Sequence, residues 1–411
     1  MRIAIVGAGV SGLVSAKYCL AFGHEISVFE QTTNYGGCWN YTDEIGVDEN
    51  GLPVHSAMYQ NLKTNLPKEI MVFEGLQYSL DLTKSYIKQS DVLDYIQKYV
   101  EKFDLEPHIK YLKLVKKIKP HLETKWKVTV MDAKTKTEET LEFDAIMVCN
   151  GHFFHRRLPL IPGMDAFIGK QMHSQDYKSP EPYKGKTVVV VGAGPSGIDI
   201  AKHTATTAKK VIMSYRTKAW GTPEADNIEK RPQIEQILEN GCRFSDGSET
   251  EADVIIYCTG YEYYLPFLDA DSGLVVEDNW VKYVYRHLVN IERPTMAIVG
   301  LTYGNSLFPM IDLMARYFLK HLAGGFSLPD KETMLESAFD EQRYRHSLGW
   351  PPRFAHKNPD HGEHLSGKMS KEADIKPIPN AIFKLHRRIS ESRFDEDCFR
   401  IVDDENFVQV Q

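Results

Sequence analysis

Two stretches of the chain share one pattern of apolar and polar positions. Each begins with a short aliphatic run, passes through a glycine-rich turn and continues into residues that favour a helix: RIAIVGAGVSGLVSA from Arg2 and KTVVVVGAGPSGIDIA from Lys186. An uninterrupted apolar run of this length is typical of a strand buried on both faces of a parallel sheet. The pattern therefore predicts an α/β protein with two domains, each built around one such strand, turn and helix.

The glycines of both turns have GxGxxG spacing, at Gly7, Gly9 and Gly12 and again at Gly192, Gly194 and Gly197. The first glycine allows a tight turn, the second lets a pyrophosphate approach the backbone, and the third lets helix and strand pack closely. Free N–H groups at the helix N-terminus attract the phosphates. A glycine turn without a ligand is the alternative, but the strand and helix around each copy favour two nucleotide-binding modules.

The residue that ends the second strand of each module indicates which nucleotide binds there. In the first module HEISVFEQ ends at Glu30, whose carboxylate can accept hydrogen bonds from ribose hydroxyls and repels a 2′-phosphate, which fits FAD or NAD. In the second, KKVIMSYRTK ends at Arg216 and Thr217, and a guanidinium suits phosphate oxygens, which fits NADPH. A surface arginine is the alternative reading of Arg216.

Charge and cysteine usage narrow the function class. The net charge of −7 argues against a nucleic-acid surface, and the lysines of KYLKLVKKIKPH, residues 110–121, alternate with apolar residues as on the solvated face of a strand. The six cysteines form no CxxC pair, so no metal site is predicted, and the histidines of HKNPDHGEHL, residues 356–365, are interpreted as a loop.

No apolar run is long enough to span a membrane. The best candidate, LFPMIDLMARYFLKHLAGGF, carries Asp312, Arg316 and Lys320 and predicts an amphipathic helix. The first strand begins at Arg2 with no leader before it. A cytoplasmic location is therefore expected, with a secreted soluble form as the alternative if a leader was removed.

Four further stretches carry candidate binding residues. In TNYGGCWNY, Gly36 and Gly37 suggest close approach of the backbone to a ligand, and Trp39 either covers a flavin or belongs to the core. In NLKTNLPKEIM, Asn65 offers a donor and an acceptor, although alone it would be a turn residue. The Pro- and Gly-rich residues 158–186 predict a linker with a structural His173, and DVIIYCTGYEYYLPF predicts a buried strand that ends at Thr259, Gly260 and Tyr261.

In chain order, GAGVSG, Glu30, GGCW, TNLPKE, FIGKQMHSQDYK, GAGPSG, SYRT and CTGY resemble the flavin-containing monooxygenases, a group of class B flavoprotein monooxygenases. The resemblance covers residues 1 to about 317. Its specific part is the linker signature ending at Tyr177 and Lys178, where the Baeyer–Villiger relatives carry a tryptophan. The stretch NLKTNLPKEIM is most similar to the short insect members, including the pyrrolizidine-alkaloid N-oxygenases.

The fold expected from these features has two dinucleotide-binding, Rossmann-like domains. The FAD-binding domain is split over residues 1–179 and 283–411, and the NADPH-binding domain is inserted at residues 180–282. The segment KYVYRHLVNIERPTMAIVGLTYGN is interpreted as the return to the first domain, with a strand over residues 296–299 followed by Gly300.

The resemblance also implies an activity. NADPH would reduce FAD, reduced flavin and O2 would give a C4a-hydroperoxyflavin, and a soft nucleophile, an amine or a sulfide, would take the distal oxygen. Asn65 would be the catalytic residue, with His173 and Tyr177 holding the geometry of the linker and of NADP⁺. The implied cofactor-binding residues are Gly7, Gly9, Ser11, Gly12, Glu30, Gly37, Trp39, Asn61, Thr64, Val115, Gly192, Gly194, Ser196, Gly197, Arg216, Thr217, Thr259 and Gly260.

Two other functions stay open at this point. One is an NADPH oxidase or flavin reductase that releases hydrogen peroxide, and the other is a catalytically idle flavin-binding module. The expected partners are a small nucleophilic substrate and O2, with no nucleic acid and no membrane span, and a homo-oligomer is left open.

Overall fold

A computed structural model of the protein describes residues 1–216, 225–391 and 397–410. These residues form two compact units. The first unit comprises Met1–Asn40, Lys63–His152 and Tyr263–Gln411, and the second comprises Tyr41–Leu62 and Phe153–Glu262. The first unit is therefore discontinuous in sequence, and the chain enters the second unit twice.

The elements are numbered in chain order. The strands β1 to β24 are Arg2–Val6, Glu25–Phe29, Ile109–Lys110, Lys113–His121, Lys125–Asp132, Glu138–Phe143, Ala145–Val148, His155–Arg156, Lys170–His173, Thr187–Val191, Lys210–Ser214, Ile228–Arg231, Ile234–Leu238, Gly241–Phe244, Glu249–Glu251, Val254–Tyr257, Tyr261–Glu262, Val275–Glu277, Trp280–Lys282, Val284–Tyr285, Val289–Asn290, Met296–Ile298, Cys398–Ile401 and Phe407–Val410. The helices α1 to α7 are Val10–Ala21, Gln89–Lys102, Pro195–Ala205, Leu307–Leu322, Lys331–Ser347, Glu363–Ala373 and Asn380–Glu391.

A seven-stranded sheet organises the first unit, in the order β20-β21-β22-β7-β1-β2-β3. The five strands from β22 to β3 are parallel, as predicted for an α/β fold. Ile3 and Ile5 of β1 face the core formed with α1 and α4, whereas Ala4 and Val6 face the antiparallel sheet β4-β5-β6. Because both faces are covered, the strand is apolar at every position from Ile3 to Val6.

The lysine-rich stretch lies on β4 with the alternation that the sequence predicted. Val115 and Ile118 are buried in the core, while Lys116, Lys117 and Lys119 are exposed. An antiparallel sheet that covers a core on one face leaves its other face to water, which accounts for this pattern. The prediction of a solvated strand face is confirmed.

The second unit is built on an all-parallel sheet in the order β12-β11-β10-β16-β9. Val188 and Val190 of β10 pack with α3, and Val189 packs towards the antiparallel sheet β13-β14-β15. This arrangement repeats the centre of the first unit: a glycine-turn strand between two parallel neighbours, followed by a helix. The predicted pair of Rossmann-like units in an α/β protein is confirmed.

The interpretation of residues 158–186 as a linker is wrong for its central part. Lys170–His173 is a strand whose partner is β16, with His173 opposite Tyr257. The pairing of His155–Arg156 with Tyr261–Glu262 also belongs to the second unit. For these reasons the compact units divide at residues 153 and 262 and not at the predicted 180 and 282.

Three further predictions concern the helix around Asp312, the loop over residues 356–365 and membrane-spanning segments. The amphipathic helix predicted around Asp312 is present as α4, with Phe308 to Ala315 buried and with Arg316 and Lys320 partly exposed. Asp312 accepts hydrogen bonds from the Tyr18 hydroxyl at 2.9 Å and from Arg316 Nε at 2.9 Å, which compensates its burial. The predicted loop over residues 356–365 runs into α6 at Glu363. Within the described part of the chain, no helix is both long and apolar enough to cross a bilayer.

Candidate functional site

The first glycine turn is packed tightly at two of its three glycines. Gly7 follows β1 directly with a φ of +98°, and its N–H donates to the Phe29 carbonyl at 2.8 Å. A Cβ on Gly7 would lie 2.7 Å from the Cys149 carbonyl oxygen, and a Cβ on Gly12 would lie 1.9 Å from that of Gly7. Both positions therefore require glycine for the turn itself, whatever binds nearby.

Gly9 has a different reason to be glycine. It caps the N-terminus of α1 with a φ of −74°, which any residue adopts, and a Cβ there would come no closer than 3.6 Å, to Gly37 Cα. The protein thus leaves room for a Cβ that the sequence omits. A pyrophosphate lying against the backbone would fill that room, which is the part that the fingerprint gives to its second glycine.

Gly36 and Gly37 lie against this turn. The Gly36 N–H donates to the Ala8 carbonyl at 2.9 Å, and a Cβ on Gly37 would lie 2.9 Å from Gly9 Cα. Both glycines have positive φ angles, +104° and +58°. The structure thus brings two of the predicted cofactor-binding residues, Gly9 and Gly37, into contact.

Glu30 follows β2 directly and is 7% exposed. One carboxylate oxygen accepts from the Ala8 N–H at 2.9 Å, and the other accepts from the Thr32 N–H and hydroxyl, each at 2.9 Å. The carboxylate therefore sits beside the first glycine turn, at the carboxyl ends of β1 and β2. In open α/β sheets this is the edge where ligands bind.

Thr64 and Asn65 belong to a segment that is clamped to residues 85–87. The Thr64 N–H donates to the Ile87 carbonyl at 2.8 Å, and the Ile87 N–H donates to the Thr64 hydroxyl at 3.2 Å. Three residues after Asn65, the Lys68 N–H donates to the Ser85 carbonyl at 2.8 Å. Asn65 lies between these two anchors with an exposed side chain, so a fixed backbone presents its amide.

Three more predicted residues have defined surroundings. Trp39 is half-buried and packs edge-on against Phe308, with ring centroids 6.3 Å apart, so in this structure it belongs to the edge of the core. The side chain of Val115 is buried, so a ligand would have to contact its backbone. Val115 lies near the start of β4, where the Lys113 N–H donates to the Glu30 carbonyl at 2.8 Å. Asn61 is exposed in the second unit with a φ of +60°, which asparagine tolerates better than most residues.

The second glycine turn repeats the first. A Cβ on Gly192 would lie 2.4 Å from the Cys258 carbonyl oxygen, and a Cβ on Gly197 would lie 2.1 Å from that of Gly192. Gly194 caps α3 with a φ of −77°, and a Cβ there would meet nothing within 4 Å. Ser196, two residues further, is exposed in the first turn of α3. As in the first turn, packing within the protein requires glycine at the first and third positions but not at the middle one.

Matching hydrogen bonds show which residues correspond in the two units. The Gly7 N–H donates to Phe29 and the Gly192 N–H to Ser214, both at 2.8 Å. Glu30 then corresponds to Tyr215, because their N–H groups donate to the last residues of the neighbouring strands, Lys110 and Arg231, at 3.0 and 3.3 Å. Arg216 is exposed one position beyond the residue that matches Glu30, and Thr217 lies outside the described residues.

The first glycine of each turn packs against a cysteine at the end of the adjoining strand. The Cys149 and Cys258 N–H groups donate to Val6 and Val191, each at 2.9 Å. Burial raises the pKa of both thiols to about 12, so they pack as neutral groups at neutral pH. Each cysteine opens a CxG tripeptide that ends in a glycine with positive φ, Gly151 or Gly260. The second tripeptide, at Cys258, lies within a stretch that the sequence already marked, and the first, at Cys149, is recognisable by comparison of the two modules.

His173 has the structural role that the sequence suggested. Its Nε2 donates to the Gly260 carbonyl at 3.1 Å, and its Nδ1 accepts from the Gln175 N–H at 3.2 Å. Burial lowers the pKa of the imidazole to about 4, so it is neutral at pH 7. The Thr259 hydroxyl donates to the Arg157 carbonyl. The predicted residues Thr259 and Gly260 are thus held by Arg157, directly after β8, and by His173, at the end of β9 in the same unit.

Gly300, which was not among the predicted site residues, borders the first glycine turn. It follows β22 with a φ of +94°, and a Cβ there would lie 2.9 Å from the hydroxyl oxygen of Ser11 in the first glycine turn. The sequence signal was the glycine directly after the strand of the returning segment. No group of three or more potential metal ligands occurs among residues 1–216, 225–391 and 397–410.

The chain matches the family model described as Flavin-binding monooxygenase-like over residues 1–224 and 225–357. The chain belongs to this family. It is 36% identical over 341 residues to senecionine N-oxygenase from Tyria jacobaeae, covering 81% of this chain and 74% of that protein. It is 34% identical over 379 residues to the flavin-containing monooxygenase FMO GS-OX-like 4 from Arabidopsis thaliana, covering 85% and 84%.

Solved structures of this family share the fold. S-allyl-L-cysteine S-oxygenase from Allium sativum has a TM-score of 0.89 at 30% identity, covering 95% of this chain and 92% of that one. Tmm from Pelagibacter sp. strain HTCC7211 has a TM-score of 0.84 at 26% identity, covering 95% and 90%. The predicted resemblance to flavin-containing monooxygenases of the insect type is confirmed.

Family membership makes the chain a flavin-dependent oxygenating enzyme with FAD and NADPH as its cofactors, as predicted. The residues of the two turns fit such groups. Each turn offers the N-terminus of a helix of eleven or twelve residues and a middle glycine whose missing side chain leaves space beside the backbone.

We expect the purified protein to be yellow without added cofactor, because the Gly7–Gly12 turn and Glu30 lie together at the edge of the sheet where FAD would bind. The flavin absorbance of the purified protein and of its heat-released supernatant measures this. A colourless preparation that gains no bound flavin on adding FAD would contradict the expectation.

Proposed function

We propose that this flavin-binding monooxygenase-like protein uses NADPH and O2 to transfer one oxygen atom to a soft nucleophilic nitrogen or sulfur, with tertiary amines as the preferred substrates. The observation that carries the proposal is the pair of equivalent glycine turns, each with a middle glycine that protein packing leaves free. Two turns of this kind suit an enzyme that holds one dinucleotide as a redox centre and takes up a second as reductant.

The first unit is the proposed FAD-binding part. There the N–H groups at the start of α1 would bind the pyrophosphate, and Glu30 would accept from the ribose of the adenosine. Ser11, Gly37, Thr64 and the backbone at Val115 are proposed to complete this site. Bound flavin, once reduced, supplies the chemistry that activates O2 for transfer to a nucleophile.

The second unit is the proposed NADPH-binding part. The start of α3, with Gly194 and Ser196, would bind the pyrophosphate, and Arg216 would bind the 2′-phosphate. Tyr215 takes the place that Glu30 has in the first unit, so no carboxylate stands there to repel a 2′-phosphate. The second unit therefore differs from the first at the position that distinguishes the two nucleotides.

Arg216→Ala is expected to raise the KM for NADPH while largely sparing NADH. A hydrogen bond to a charged group is worth roughly 1.5–3 kcal/mol, which corresponds to about 10- to 150-fold in affinity. Steady-state kinetics with both nucleotides measure the effect, and Arg243→Ala serves as the control, since Arg243 is a partly exposed residue of β14 that pairs with Glu249. Equal losses with NADPH and NADH would show that Arg216 does not read the 2′-phosphate.

The substrate class is supported by two relatives with the named activities, senecionine N-oxygenase at 36% identity and S-allyl-L-cysteine S-oxygenase at 30% identity. The stronger match is to the N-oxygenase, which favours amines over sulfides. Lys178 after Tyr177 in the linker signature points away from ketone-oxidising relatives. Ketones are therefore expected to be poor substrates.

A product screen tests the proposal directly. Purified protein with NADPH in air is given tertiary amines that include bicyclic alkaloids, then sulfides and cyclic ketones, and products are identified by mass spectrometry. N-oxides formed in step with NADPH consumption would support the proposal. Rapid peroxide release with every substrate would instead identify an NADPH oxidase, and bound flavin that NADPH cannot reduce would identify an idle binding module.

A further inference from the structure

Residues 41–62 leave the first unit and pack on the second. The Gln60 N–H donates to the Lys178 carbonyl at 2.8 Å, and Lys178 Nζ donates to the carbonyls of Ser56 and Met58 at 3.4 and 3.2 Å. The Gln175 side chain donates to the Val54 carbonyl at 3.2 Å. Backbone carbonyls of an otherwise irregular segment are thus held by two side chains of the linker signature.

Tyr59 connects this segment to α3. Its hydroxyl donates to the Asp199 carboxylate, and its ring packs edge-on against Tyr177, with centroids 5.5 Å apart, and tilted against His203 at 5.7 Å. Tyr59 is 7% exposed, and burial beside the carboxylate holds the pKa of its hydroxyl well above the usual value, so it stays a donor. The Tyr59 hydroxyl is therefore protonated at neutral pH and can donate this hydrogen bond.

Asp199 lies one helical turn beyond Ser196, on the helix whose first turn is the proposed phosphate site. The Tyr59–Asp199 hydrogen bond thus joins α3 to residues 41–62, beside the ring contact of Tyr59 with His203. Two residues after Tyr59 the chain reaches Asn61, in its positive-φ conformation, and four residues after Asn61 it reaches Asn65. The fingerprint and the linker signature contain neither partner of this bond.

We propose that Tyr59 and Asp199 are positioning residues for nucleotide retention. Their hydrogen bond holds the phosphate-binding turn of α3 in register with the segment that carries Asn61, so that NADP⁺ remains bound after it has delivered its hydride. This inference rests on the proposed NADPH site in the second unit, and it adds a contact that determines how tightly that site holds the oxidised nucleotide.

The test measures the dissociation constant of NADP⁺ on purified, FAD-loaded protein by titration calorimetry. Tyr59→Phe, which removes only the hydroxyl, is expected to raise Kd roughly 3- to 10-fold, a size usual for coupling within one hydrogen-bond network. Asp199→Ala is expected to do the same, and the double variant should be no weaker than either single variant. Asp199→Asn keeps an oxygen that accepts from Tyr59 and is expected to stay close to the wild type.

Tyr183→Phe is the matched control. Tyr183 is buried in the same aromatic cluster, stacked on Tyr177 with centroids 5.5 Å apart, but its hydroxyl donates to Met172 Sδ and not to α3. If loss of any buried hydroxyl in this cluster weakened binding, Tyr183→Phe would match Tyr59→Phe. Melting temperature and FAD content are recorded for every variant to exclude a loss of folding.

The outcomes separate this inference from the proposed function. A wild type that binds no NADP⁺ would overturn both. A wild type that binds NADP⁺, with Tyr59→Phe or Asp199→Ala equal to it in Kd, would overturn the positioning role and leave the proposed function standing. A Kd raised equally by Tyr183→Phe would also overturn the positioning role, because the effect would then come from the aromatic cluster as a whole.

Discussion

Gly194→Leu is expected to abolish NADPH oxidation while the flavin stays bound. A leucine at this position would occupy the space beside the backbone where a pyrophosphate has to lie. Losing two charge-assisted hydrogen bonds from the start of α3 costs roughly 3–6 kcal/mol, or about 10²- to 10⁴-fold in kcat/KM for NADPH. The measurement is steady-state NADPH oxidation, together with reduction of the bound flavin by dithionite.

The structure makes Gly194 the informative glycine of its turn. A Cβ there would meet nothing within 4 Å, and the φ of −77° suits any residue, so the variant is expected to fold. Gly192 and Gly197 would each place a Cβ within 2.4 Å of a backbone carbonyl oxygen, so substitution there would distort the turn whether or not a ligand binds. Of the three glycines in this turn, Gly194 is therefore the one at which a side chain can block a ligand without disturbing the packing of the protein.

Two matched variants complete this experiment. Gly9→Leu is the equivalent change in the first turn and is expected to lose FAD, since its φ of −74° suits any residue and a Cβ there would lie no closer than 3.6 Å to Gly37. Gly367→Leu, in an exposed position of α6 with nothing within 4 Å of a Cβ, is expected to leave both cofactors in place. Loss of FAD from Gly194→Leu would contradict the assignment of the two turns to two separate nucleotides.

The parts of the fold that the sequence predicted are those whose local signal agrees with their tertiary environment. β1 and β10 are buried on both faces, so their apolar runs are continuous and the glycine turns after them are unmistakable. Glu30 could be assigned because it follows such a strand directly. Asn65 could be selected only through the family resemblance, because an exposed asparagine in a turn has no local signal of its own.

The parts that the sequence did not predict depend on contacts between distant residues. Lys170–His173 is an edge strand with only His173 buried, so it shows no apolar run, and its flanking glycines and prolines suggested a linker. The sequence of residues 41–62 does not indicate which unit they pack on. Their contacts are with Lys178 and Asp199, which lie more than 100 residues further along the chain. Gly300 has a positive φ and also borders Ser11, a contact that no local window of sequence reveals.

Asn65→Ala is expected to separate NADPH consumption from oxygen transfer. The backbone at this position is held by the bonds of Thr64 to Ile87 and of Lys68 to Ser85, which involve no atom of the Asn65 side chain, so the variant should fold and bind both cofactors. What it loses is an exposed amide, one N–H donor group on a fixed backbone. We therefore expect NADPH to be oxidised still, with hydrogen peroxide as the main product.

The size of the effect follows from the chemistry of such donors. An N–H group aimed at negative charge that develops on oxygen during a reaction contributes roughly 2.7–4 kcal/mol in other active sites, so oxygenated product should fall about 10²- to 10³-fold. Asn65→Asp has the same shape but only acceptor oxygens, and it should be uncoupled as strongly as Asn65→Ala. An exposed asparagine elsewhere, in Asn240→Ala, should leave coupling unchanged.

Three quantities measured in one reaction decide the outcome: NADPH consumed, peroxide released and N-oxide formed from a tertiary amine. If Asn65→Asp kept the coupling that Asn65→Ala lost, the side chain would act through its shape and not through its N–H donor. If Asn65→Ala itself kept N-oxide formation in step with NADPH consumption, Asn65 would have no part in oxygen transfer. In that case the hydrogen bonds of Thr64 to Ile87 and of Lys68 to Ser85 would have only a structural role in holding this loop.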